Sequence, residues 1–197
     1  MLFSPVSNRK LWASMPRLVS AYQQTEHCTA IDANNYPQKV EEVRVDMAAM
    51  KVESKNAELL TSVGSCVAIC LYDSAHRCGG LAHIMLPHSA KGSHEPLPYK
   101  FANTAVPELA KAVRETTGFH CRLTAKIVGG ANMFATTCPN NLDVGAKNIS
   151  AVKSALAEHK IRILGEDVGG VHGRRVKFNI SSGQISVKLH NGEVRKI

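Results

Sequence analysis

Gly64-Ser65-Cys66-Val67-Ala68-Ile69-Cys70-Leu71-Tyr72 is followed, after a short polar stretch, by Gly79-Gly80-Leu81-Ala82-His83-Ile84-Met85-Leu86-Pro87. Val67 to Tyr72 is apolar and branched enough for a strand buried on both faces. Asp73 to Cys78 supplies a turn. The second run returns as a strand that Pro87 stops, since proline has no N–H to give to a ladder. The two runs predict a β-hairpin inside a core.

Upstream, Val43-Arg44-Val45-Asp46-Met47 alternates like a half-buried strand, Met50-Lys51-Val52 continues the extended reading, and Ser54 to Asn56 makes a turn. Downstream, Ala105 to Val113 has helical spacing with Pro107 expected in the first turn, ending near Gly118. Leu123 to Val128 reads as a strand closed by Gly129-Gly130. Gly145 to His159 reads as a helix with apolar Ile149, Val152 and Leu156, and Ile161 to Leu164 as a strand. After a glycine-rich connection, Val176 to Ile180 and Gln184 to Leu189 form a hairpin around Ser182-Gly183, and a short strand ends the chain. Many strands and two helices in mixed order predict an α+β fold, with mixed and antiparallel sheets flanked by helices.

A chain of 197 residues has room for one real core. Residues 1–42 show no sustained period and are expected to be an N-terminal extension, leaving 43–197 as the domain. Arg9, Lys10 and Arg17 stand in the first 25 residues without an acid, but no apolar core of a secretory signal accompanies them. No apolar run approaches the roughly 20 residues of a membrane span. Six irregularly spaced cysteines do not suggest a secreted disulfide scaffold. A cytoplasmic protein with reduced thiols and no membrane insertion is expected.

The net charge of +8 falls mostly after residue 55. A basic surface suits nucleic acid, an anionic membrane or an acidic protein. Aromatic content of 5% argues against base-stacking platforms, and no nucleic-acid motif is present, which favours the acidic protein. Lys126, Lys147, Arg174 and Arg175 are candidates for contacting it.

If the hairpin is centred between Ser74 and Ala75, Cys66 lies opposite His83; a register two residues longer puts His83 opposite Ala68, still on the Cys66 face. An odd slip separates them. An imidazole beside a thiol can take its proton and leave a strong nucleophile. Gly64 and Ser65 permit a tight bend whose N–H groups could converge on an oxyanion. Spacing alone favours a small buried cysteine and a satisfied strand histidine over a catalytic pair. Zinc is disfavoured because Cys66, Cys70, Cys78 and His83 lack the paired short Cys-x-x-Cys knuckles of structural sites. Gly129-Gly130 and Gly169-Gly170 lack phosphate-loop context and read as sharp turns.

Gly64-Ser65-Cys66-Val67-Ala68, Leu71-Tyr72-Asp73 and Gly79 to Pro87 resemble the signature blocks of the CheD family. Met47 to Val52, Ala125 to Ala131, Val144 to Asn148 and Asp167 to Arg174 resemble further blocks in the same order, so the likeness runs from about Val43 to Ile197. The resemblance implies a cysteine amidohydrolase, a protein-glutamine glutaminase, that converts glutamines of methyl-accepting chemotaxis receptors to glutamates. It implies Cys66 as nucleophile, His83 as base, and Thr61 as third member, with Ser62 beside it. It also implies a fold similar to the catalytic domain of cytotoxic necrotizing factor, a CheC-type phosphatase as partner, and no cofactor or metal. Receptor signalling helices are commonly acidic, which suits the basic domain. The competing class is a module that binds the phosphatase with catalysis secondary or absent.

Overall fold

The apolar alternation of the strands is resolved into two sheets in the computed structural model, which describes residues 40–89, 97–118, 121–133 and 143–197. The strands are β1 (Glu41–Arg44), β2 (Met50–Ser54), β3 (Ala57–Val63), β4 (Val67–Asp73), β5 (Cys78–Ile84), β6 (Thr124–Gly129), β7 (Arg162–Val168), β8 (Arg174–Asn179), β9 (Ile185–Leu189) and β10 (Val194–Lys196). The helices are α1 (Ala102–Thr117) and α2 (Val144–Glu158), and a 3-10 turn spans Pro98–Lys100. One sheet has the order β1-β3-β8-β9-β10 and the other β2-β5-β4-β6-β7. Two pairs, β1 with β3 and β6 with β7, are parallel, so both sheets are mixed.

The second sheet is buried on both faces, which is why β4 and β5 read as continuous apolar runs. One face, including Val67, Ile69, Leu71 and Ile84, meets Leu109 and Val113 of α1 and Val152 and Leu156 of α2. The other, including Ala68, Cys70, Leu81 and Val128, meets Leu59, Val176, Phe178 and Val187 of the first sheet. The layers run sheet, sheet, helices, an α+β architecture. No helix among the described residues is long and apolar enough to cross a membrane.

Several expected elements differ. The first strand ends at Arg44, because a turn follows in which Ala48 adopts φ 56°. Ala57 to Val63, unassigned above, is the strand β3. Helix α1 begins at Ala102, so Pro107 lies in its second turn rather than its first. The N–H it lacks would have bonded the carbonyl of Asn103, an exposed residue that water reaches. Residues 1–39 of the expected extension lie outside the described residues.

Candidate active site

The hairpin register decides which side chains meet. β4 and β5 pair Val67 with Ile84 and Ala68 with His83, the longer of the two registers compatible with a shared face. Cys66 is one residue before β4, and the Gly130 N–H donates to its carbonyl, extending the ladder toward it. It packs against the edge of the core cluster between the sheets, the one to which Ala68 and Cys70 also belong. Cys66 is therefore diagonal to His83, a relation that sets Cα atoms about 7–8 Å apart.

His83 is 3% exposed. Its Nδ1 lies 2.8 Å from Thr61 Oγ1, which also donates to the Val45 carbonyl at 2.8 Å. A hydroxyl has one proton; a carbonyl can only accept it. Thr61 therefore accepts from Nδ1–H, and the lone pair of His83 is on Nε2, which has no hydrogen-bond partner among the described residues. Burial lowers the affinity of this imidazole for a second proton, opposed by the negative charge of Asp46. Burial likewise pushes the Cys66 thiol up, opposed by its own backbone N–H. Each shift favours the neutral form of its group. Ser62 faces outward and is exposed, while Thr61 is buried.

The turn before β4 is held by its carbonyls. Gly64 O accepts from Ala131 N at 2.8 Å, Ser65 O from Asn148 Nδ2 at 2.9 Å and Cys66 O from Gly130 N at 2.7 Å. Across a trans peptide the N–H points opposite to the carbonyl, so these bonds turn the Ser65 and Cys66 N–H groups the other way. Neither has an acceptor among the described residues beyond the Cys66 sulfur. Gly64 was expected for its freedom to bend, yet its φ is not positive. What it provides is room, since a Cβ there would press on the Met133 sulfur. Gly129 does need its freedom: φ is 117°, and a Cβ would collide with the Cys66 carbonyl.

Asn148 was not singled out from the sequence as a site residue. Its signal was a polar residue on the buried face of α2, beside Gly145, Ala151 and Val152. Cys70 is buried and its thiol is pushed far up, which suits a core residue. Two of the four candidate docking cations are engaged internally. Lys126 is half-buried and donates to the backbone oxygens of Gly183 and Ile197, and Arg174 is buried against Asp167 at 2.8 Å. Lys147 and Arg175 are exposed. No cluster of three or more potential metal ligands occurs among the described residues.

Fold and site together define a class: an α+β sandwich with a cysteine, a histidine and a threonine at the mouth of the space between its sheets. The family model described as CheD chemotactic sensory transduction matches residues 85–189. A protein of Clostridium acetobutylicum is 39% identical over 163 residues, 81% of this chain and 98% of its own length. Others from Desulforamulus reducens (40% over 158 residues, 79% and 95%) and Methanococcus vannielii (42% over 155 residues, 79% and 99%) are similar. All three carry the name "Probable chemoreceptor glutamine deamidase CheD". The chain belongs to the CheD family. The relatives cover nearly their full lengths, so the likeness is to whole proteins.

Proposed function

We propose that this protein deamidates glutamine side chains of methyl-accepting chemotaxis receptors, with Cys66 as nucleophile, His83 as proton carrier and Thr61 as the residue that orients His83. The observation that carries the roles is the Nε2 lone pair of His83, without a hydrogen-bond partner among the described residues, on the face that Cys66 shares. The names of the full-length relatives support the substrate.

In this reading Nε2 takes the thiol proton as sulfur attacks the carboxamide carbon. The Ser65 and Cys66 N–H groups receive the oxyanion, an interaction whose loss typically costs about 10²–10³ in rate. Collapse breaks the C–N bond, His83 returns its proton to the leaving ammonia, and a thioester remains. Nε2 then deprotonates a water that attacks the thioester, releasing glutamate and the free thiol. Glutamine and water become glutamate and ammonia, with no cofactor required. Residues 43–197 form the catalytic domain in this reading, 1–42 an extension, and the cytoplasm is where receptor helices are met. The sheet–sheet–helix layering supports the likeness to the cytotoxic necrotizing factor catalytic domain. A CheC-type phosphatase is the proposed second partner.

Mass spectrometry of receptor cytoplasmic fragments provides the test. Wild type is expected to give the small mass gain of glutamine-to-glutamate conversion at particular sites, and Cys66→Ser none. His83→Ala should lose about 10²–10⁴ in rate and Thr61→Val about 10²-fold. Equal results from wild type and Cys66→Ser would leave a binding protein in place of an enzyme.

A further inference from the structure

Asn148 sits in the first half of α2 with no exposed surface. Its Nδ2 donates to Ser65 O and to Met85 O, each at 2.9 Å. Two carbonyls can be satisfied together only by a group with two N–H bonds and no lone pair toward them, which fixes the amide orientation. The cost is visible: Asn148 Oδ1 is buried without a partner among the described residues, a state proteins generally avoid. The two carbonyls belong to different halves of the site. Ser65 precedes Cys66, and Met85 follows His83 by two residues. No other side chain among the described residues bonds the backbone of both segments.

We propose that Asn148 is a positioning residue for Cys66: its amide clamps the Ser65–Cys66 peptide to the end of the histidine strand, holding the Cys66 N–H toward the sulfur and the oxyanion. The proposal rests on Cys66 as nucleophile and goes beyond it by assigning the geometry of that turn to one side chain of α2. Without the clamp the Ser65–Cys66 peptide loses the bond to its own carbonyl and is held only through its neighbours, Gly64 O by Ala131 N and Cys66 O by Gly130 N. The thiolate and the oxyanion then lose the same donor together.

The test reads Cys66 directly, by peptide mass spectrometry of iodoacetamide alkylation across pH, alongside kcat and KM for receptor fragments. Asn148→Ala is expected to raise the pH midpoint of Cys66 alkylation by about one unit, because a donor to the thiolate is lost. It should lower kcat about 100-fold with KM within about twofold. Asn148→Ser, which keeps one donor, should give smaller changes of the same sign and serves if the alanine variant does not fold. Val152→Ala, buried on the same helix, controls for loss of stability. A midpoint that stays at the wild-type value, or moves equally in Val152→Ala, overturns the proposal. Should wild type fail to deamidate receptors while the midpoint still moves in the Asn148 variants alone, the deamidase reading falls and the clamp stands.

Discussion

The hydroxyl proton of Thr61 ties the chemistry of His83 to pH. With Nδ1–H held by Thr61 and Nε2 buried, a second proton would have to sit on an atom that has no hydrogen-bond partner among the described residues. Unfolded, His83 titrates near its ordinary value of 6.5; folded, it does so lower, burial being the main cause. Between those two values the unfolded chain holds a proton that the folded chain does not. Stability therefore rises with pH through that window, is complete above 6.5, and is lost as pH falls toward the folded value. Urea titrations should show the wild-type midpoint falling more between neutral pH and pH 5 than that of His83→Gln. The acid limb of kcat/KM should likewise lie below the ordinary histidine value. A limb at or above that value would mean that Nε2 is solvated and the site more open than its burial indicates.

At the scale of elements, the glycines after β6 show how a turn outside the site shapes it. Gly129 has φ 117° and stands against the Cys66 carbonyl and Val63 Cγ2, the latter at 2.9 Å from where a Cβ would be. Gly129→Ala should lose about 1–3 kcal/mol from the backbone alone, read as a lower urea midpoint. Activity should fall further than in a Val152→Ala protein of matched stability, because relief of the clash moves Cys66; equal activity at matched stability would show that the turn absorbs the strain. The sequence identified this dipeptide as a turn but gave no sign of what it faces, since β4 and β6 are joined only through pairing far apart in the chain. The β4–β5 hairpin was legible because continuous apolar runs bounded by turn signals have few other uses. Its parity was legible too, but not which of two registers forms. The turn selects that, with Asp73 accepting from Ala75 N and contacting His76 while Arg77 takes φ 47°. β3 escaped notice because its alternation is inverted at the site. Thr61 points inward, where an apolar residue is expected, and Leu60 faces outward. Asn148 breaks the buried face of α2 in the same way. Local rules fail at these positions because the polar groups are used, one by His83 and one by the Ser65 and Met85 carbonyls.

Over the whole molecule, both described helices cover one sheet, and the outward rows of the other carry much of the basic character. Arg175 and Lys188 are Cα partners there and both are exposed. Glu42 and Glu58 on the same side are taken up by Lys177 at 2.8 and 2.9 Å. Arg175 and Lys188 also line an open groove of about 650 Å³ with Gly64, Met133 and His190, next to the Cys66 turn. Net charge was readable from composition; its placement was not, because Lys126 and Arg174 look like surface cations until the fold gives them internal partners. For an acidic receptor helix, placement and total charge make different predictions. Lys188→Glu and Lys111→Glu change the net charge equally, but Lys111 lies on α1, beyond the second sheet. If the groove steers substrate, Lys188→Glu should lower kcat/KM about tenfold at low salt with kcat unchanged. The difference should shrink as added salt shortens the Debye length toward about 3 Å at 1 M. Equal losses in both variants would assign encounter to total charge, and a salt-independent loss in Lys188→Glu would mark a contact that shapes the bound substrate instead of a field that guides it in.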